Sequence, residues 1–148
     1  MVTNKSTCRL RSAPISSAIR ELLSTEHDGN VEVSVLLCDD AEMRVLNHEY
    51  RGIDSPTDVL SFAQEDTEPT PEGRVLLGDV VISSETAARQ GEQHGHGIET
   101  EAVLLGLHGT LHLLGYDDDT EGNLSEMIAR AEQVAASLGH AVGRHGHG

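Results

Sequence analysis

The sequence predicts an α+β (mixed α/β) fold: a small mixed β-sheet covered by helices, with a candidate metal-binding helix in the C-terminal half. Three observations carry this. Helix-like and strand-like periods follow one another in the order helix, strand, helix, strand, strand, helix, helix, helix, which suits a few strands packed under helices. The strand-like runs are short, and one of them alternates Val31, Val33 and Val35. The longest apolar run, near residue 105, holds the helical period and carries two histidines four residues apart.

The elements can be justified in order. ISSAIRELL at residues 15–23 places Ile15, Ile19, Leu22 and Leu23 at helical spacing. Ser12 is placed to cap that helix, with Pro14 in its first turn. HDGN at 27–30 is turn chemistry. VEVSVLLC at 31–38 alternates Val31, Val33 and Val35, the mark of a strand with one buried face. Asp40 is the expected cap of a helix through Met43, Leu46 and Tyr50, and Gly52 its stop. DVLSF at 58–62 reads as a short strand. The Pro-containing stretch QEDTEPTPEG at 64–73 reads as a mobile loop. VLLGDVVIS at 75–83 is a second strand, with Gly78 as a bulge or a point of close approach. Ser83 or Ser84 caps a helix through Ala88, and QHGHG at 93–97 reads as loop. ETEAVLLGLHGTLHLLG opens at Glu99 and ends at Gly115. A last helix is expected over about residues 125–138. The chain reads as a single catalytic domain, 1–148, with a Gly/His-rich disordered tail from about 139 to 148.

Composition narrows the classes further. Formal net charge is −15, with 25 acidic residues against ten basic ones, and Lys5 is the lone lysine. Such a surface repels bulk nucleic acid, so chemistry on nucleic acid needs a local basic or metal-centred spot. Cys8 and Cys38 lie far apart with no CxxC spacing, as incidental thiols in a reducing compartment. No apolar run approaches the ~20 residues of a membrane span. The N-terminal stretch lacks the apolar segment of a secretory signal, so a cytoplasmic location without membrane partners is expected.

HGTLHLLGYDDD at 108–119 is the stretch with chemistry in it. His108 and His112 share one helix face, about 40° apart around the axis, within reach of one ion. Gly115 can take the left-handed conformation that turns the chain back. A third ligand from Asp117, Asp118 or Asp119 can then swing over the same ion; Asp118, ten residues after His108, gives the spacing H-x3-H-x5-D. The helix spacing is also that of certain zinc proteases, but Gly109 stands where they carry a glutamate general base. Without it, phosphodiester cleavage fits better than peptide hydrolysis. Its transition state gathers charge on nonbridging oxygens, which a metal and a bidentate guanidinium can brace. His94, His96, His140, His145 and His147 lack helical partner spacing and read as loop and tail histidines.

HGTLHLLGYDD resembles the signature of the YbeY endoribonucleases, H-G-x-L-H-L-x-G-Y-D-H. YRGIDSPTDVLSF at 50–62 and LLGDVVIS at 76–83 are similar to two further segments of that family. Met127 and Glu132 fall where its final helix carries Met and Glu. The resemblance spans roughly residues 31–138. It implies a metal-dependent, single-strand-specific endoribonuclease acting in rRNA maturation, at the 16S rRNA 3′ end, and in ribosome quality control. The implied partners are single-stranded rRNA and the small ribosomal subunit with its proteins.

The family's site is a zinc ion on three histidines. His108 and His112 match the first two, and Asp118 stands at the third. One divalent ion is therefore expected, zinc foremost, with manganese or iron as competitors because an oxygen donor is harder. Arg51, in the YRG motif, matches the arginine thought to act in catalysis. Supporting roles fall to Asp117, to Ser61 lining the cleft with Asp58 and Thr57, and to Asp79 holding a ligating histidine by its second nitrogen. Arg44, Arg51, Arg74 and Arg89 are expected to form one basic patch. Two other readings are a ribosome-associated assembly factor with a mainly structural metal and, disfavoured by Gly109, a metalloprotease.

Overall fold

The computed structural model describes residues 1–27, 30–64, 69, 71 and 73–143. Along the chain run β1 (Val2–Asn4), α1 (Ser12–Glu26), β2 (Val31–Cys38), α2 (Asp40–Arg51), β3 (Val59–Ala63), β4 (Val75–Ser83), α3 (Ser84–His94), α4 (Gly97–Leu113) and α5 (Glu121–Ser137). The strands form one sheet in the order β1-β2-β4-β3. β1, β2 and β4 are parallel, and β3 is antiparallel to β4. The expected α+β fold, a mixed sheet covered by helices, is what forms.

The two faces of β4 divide the core. Val80 and Ile82 face the larger cluster, with Ile15 and Leu22 of α1, Leu107 and Leu111 of α4, and Met127 of α5. Val81 faces a smaller cluster, with Cys38, Leu60 and Met43 of α2. A strand covered on both faces must be apolar on both, which is why VLLGDVVIS does not alternate. α4 is packed by α1, α3, α5, β3 and β4, and a helix surrounded this way is apolar nearly all round. It is the central helix, and the histidines sit on the part of it left open.

Several local expectations need correction. Ser12 is the first residue of α1, not its cap; Arg11 holds the cap position and no side chain caps that end. Asp40 likewise opens α2 from within, behind Asp39. Its carboxylate instead accepts from Ser83 Oγ (2.5 Å) and Thr86 Oγ1 (2.7 Å), tying α2 to α3. Ser83 does cap α3, accepting from the Thr86 N–H at 3.3 Å. α3 runs on to His94, well beyond Ala88, and the left-handed Gly95 (φ 77°) separates it from α4. α5 starts earlier than expected, because the Thr120 hydroxyl caps it on the Asn123 N–H. β1 was not foreseen; three residues are too few to show a period.

The register shift in the β2–β4 ladder leaves Leu77 without a partner, and Gly78 follows it. A methyl at Gly78 would collide with the Phe62 carbonyl oxygen and lie 2.8 Å from Leu113. Gly78 is therefore the point of close approach, and the bulge falls beside it. Residues 28, 29, 65–68, 70 and 72 of the expected turn and loop, and 144–148 of the expected tail, lie outside the described residues. Of the remainder of that tail, Val142 packs against the core and the Gly143 N–H reaches His96.

Candidate metal centre and its cleft

α4 fixes the first two candidate ligands. His108 and His112 lie one turn apart, with ring centroids 4.9 Å apart and planes at 74°. The helix ends where the sequence expects. The Gly115 N–H reaches His112 O (3.1 Å) and the Tyr116 N–H reaches Leu111 O (3.0 Å). Gly115 takes φ 101°, a conformation costly for any residue with a Cβ. The chain then folds back and brings Asp118 Oδ2 to 3.6 Å from His112 Nε2. One ligand atom each from His108, His112 and Asp118 lies within 4.8 Å of the others.

Asp117 organises that return. Its Oδ1 accepts from Asn123 Nδ2 (2.6 Å) and from the Asp119 N–H (3.3 Å), joining the turn to the start of α5. Burial lowers the His108 pKa, and the neighbouring His112 lowers it further, against the pull of Asp58 and Asp118. The imidazole is thus biased toward the neutral form that a metal needs. Two neutral imidazoles and one carboxylate suit zinc and its divalent neighbours.

The cleft is a cavity of about 450 Å³ walled by Arg51, Thr57, Asp58, Ser61, His108, His112 and Asp118. Arg51 enters from the exposed end of α2, stopped by Gly52 at φ 72°. Asp58 accepts from the Val59 N–H (2.7 Å) and from Gln90 Nε2 (3.3 Å), which fixes its carboxylate on the wall. The Ser61 hydroxyl donates to Gly109 O (2.9 Å) and holds β3 against α4. Gly109 must be glycine here. A Cβ would stand 2.7 Å from Val80 Cγ1 and 3.0 Å from Ser61 Oγ. No glutamate fits the position where a zinc protease needs one.

Not every expected residue comes to the site. Asp79 pairs across the sheet with Ser34 and Phe62, between Gly78 and Val80, which face α4. By strand alternation its side chain is on the opposite face from the histidines, so it does not hold one of them. The four arginines also disperse. Arg44 donates to Asp54 (2.7 Å), Arg89 to Asp40 (2.8 Å), and Arg74 lies 3.8 Å from Glu32. Arg51 is the arginine that reaches the cleft.

A second cluster went unseen in the sequence. His94 Nδ1 and His96 Nε2 lie 2.9 and 2.6 Å from the same Glu101 oxygen, and this trio too brings ligand atoms within 4.8 Å. The Gly143 N–H donates to His96 Nδ1 at 2.9 Å. That nitrogen therefore carries no proton, and Nε2 is the donor to Glu101. Both ring nitrogens of His96 are thus hydrogen-bonded. The available signal was Glu101 itself, an acid on the buried stripe of an apolar helix, where an unpaired charge is costly.

The family model described as Endoribonuclease YbeY matches residues 1–139. A protein of Moorella thermoacetica named Endoribonuclease YbeY is 49% identical over 117 residues, covering 75% of each chain. One of the same name from Pelotomaculum thermopropionicum is 45% identical over 127 residues, covering 84% of each. The solution structure of a Thermotoga maritima protein shares the fold, with a TM-score of 0.56 at 24% identity, covering 93% of this chain and 91% of that one.

Proposed function

The chain belongs to the YbeY family of endoribonucleases, and from that premise we propose that His108, His112 and Asp118 hold one divalent ion at which single-stranded RNA is cut. Metal-dependent endoribonuclease activity is what the family carries. The finer reading is that the ion is zinc, that the RNA is the 16S rRNA 3′ end on the small ribosomal subunit, and that the work is done in the cytoplasm. One observation carries the assignment of the site. The three ligand atoms and Arg51, which has no acid partner among the described residues, wall the same cavity. The trio at Glu101 is the weaker claimant, because the proton on His96 Nε2 would have to leave for an ion to bind there.

A bound divalent ion would supply charge to a phosphate oxygen or acidify a water. The chain does the rest. Arg51 grips a nonbridging phosphate oxygen pair with its planar fork. Thr57 offers a hydroxyl to the same phosphate. Asp58 is the carboxylate of the cleft left free of the ligand set, and it is placed to accept the proton of the attacking hydroxyl. Ser61 and Gly109 hold β3 close against α4, which sets Thr57 and Asp58 beside the histidines in the cleft. Asp118 in place of a third histidine makes the site less positive by one charge, and an ion held there acidifies water less strongly.

The test is elemental analysis of chain ending at residue 143, compared with Asp118→Ala, Asp118→His and His96→Ala. The expected result is about one ion per chain, lost in Asp118→Ala and kept in Asp118→His and in His96→Ala. Loss in His96→Ala with retention in Asp118→Ala would transfer the ion to the Glu101 trio.

A further inference from the structure

We propose that the cavity adjoining the metal cleft is a nucleobase subsite that prefers guanine, an inference that rests on the endoribonuclease reading. The cavity measures about 320 Å³, ample for one purine, and shares two walls with the cleft, Asp58 and His108. A nucleotide whose phosphate lies at Arg51 can therefore place its base through that shared wall. The floor is apolar, formed by Leu104, Leu105 and Ile128, and matches the face of a flat ring. The polar groups converge from the side.

The lining decides which part of RNA enters. No Arg or Lys lines this cavity, so a phosphate would find no permanent cation there, while the carboxylates of Asp58, Glu101 and Glu132 repel it. The Glu132 carboxylate faces it from α5, partly buried and without a hydrogen-bond or ion-pair partner among the described residues. Gln93 adds an amide. A carboxylate only accepts hydrogen bonds, so it selects for donors. Guanine presents N1–H and N2–H side by side, one for each carboxylate oxygen. Adenine and cytosine present a single amino group beside an acceptor nitrogen. Uracil presents its one N–H between two carbonyl oxygens, which the carboxylate repels. The expected order is guanine, then adenine and cytosine, then uracil.

The experiment uses a random-sequence single-stranded RNA pool, cut by the metal-loaded full chain and by Glu132→Gln and Glu132→Ala, with the new ends sequenced. Metal content and thermal melting are recorded for each. Expected is a guanine enrichment over uracil of about fivefold or more at one position flanking the cut, the discrimination typical of one bidentate base contact. Both variants should lose that enrichment while keeping the ion and the melting behaviour. Flat base frequencies around the cut, or an enrichment unchanged in both variants, overturn the subsite while leaving the nuclease reading in place. No cut at all by metal-loaded wild type overturns the nuclease reading, and the subsite with it.

Discussion

Arg51 differs from the arginines around it in what it is free to do. Arg44 and Arg89 already spend their forks on Asp54 and Asp40 at 2.7 and 2.8 Å. Arg51 is exposed, faces the cavity, and has no acid partner among the described residues. Replacing it should therefore cost little stability, since an exposed, unpaired side chain contributes little. Its cost should fall on the reaction. Arg51→Ala is expected to lower kcat by roughly 10²–10³ with bound metal unchanged, the usual price of one lost charge-stabilising donor. Arg51→Lys should recover a part only, because an ammonium cannot grip two oxygens in one plane. Single-turnover cleavage with metal quantified in the same samples checks this. Equal activity in all three proteins would remove Arg51 from the chemistry. The convergence of His108, His112 and Asp118 was legible, because a helix period fixes where i and i+4 point and a Gly fixes where the helix stops. Asp79 was misread, because which face of β4 an acid occupies depends on the partner elements and not on the strand's own sequence.

At the scale of elements, the turn that delivers Asp118 is anchored from outside itself. Tyr116 donates its hydroxyl to Glu26 Oε1 at 2.9 Å, and Arg130 donates to the same oxygen at 2.9 Å. The end of α1 thus pins both the turn after α4 and the face of α5. The hydrogen bond from Arg130, with help from Tyr116 and against partial burial, holds the Glu26 carboxyl below the usual glutamate range. A carboxyl depressed in the folded state stabilises it above the unfolded pKa of about 4.3. That contribution is lost as pH falls through the depressed folded value. Glu26→Gln is expected to cost about 1–3 kcal/mol at pH 7, as a broken charged hydrogen-bond pair does. The gap to wild type should narrow as pH falls below the ordinary glutamate range and close once Glu26 itself is protonated. Urea unfolding over a descending pH series measures it; a gap that does not narrow as pH falls would show a packing effect instead. Nothing in the sequence joins Glu26 to Arg130, 104 residues apart. The tie exists because α1 and α5 pack on neighbouring flanks of α4, and that is a property of the assembled layers. The same holds for His94, His96 and Glu101, which look unrelated until Gly95 turns α3 back onto α4.

For the whole molecule, the question is how a chain of net charge −15 handles a polyanion. The layer order was readable apart from β1, since strand and helix periods differ and every other element is long enough to show its own. The distribution of charge was not, because ion pairing is decided across elements. The expected basic patch does not form: three of its four arginines are drawn to acids elsewhere. One arginine remains to meet phosphate at the cleft. This has a measurable consequence. Each phosphate neutralised on a single strand steepens the dependence of log K on log salt by about 0.7. A binding face with four free arginines would give a slope near −3 on that scale. The arrangement here should give a slope of about −0.7 to −1.5, the upper end including a phosphate held by the ion. Fluorescence anisotropy of a short single-stranded RNA on metal-loaded protein, made unable to cut by Asp58→Asn and titrated with salt, reads this slope directly. A shallow slope means the isolated chain holds RNA weakly through one or two phosphates and the base beside them, and its choice of RNA must come from a larger partner that presents the strand. A slope near −3 means the arginine pairs with Asp54, Asp40 and Glu32 open when RNA arrives, so that the patch forms only in the complex.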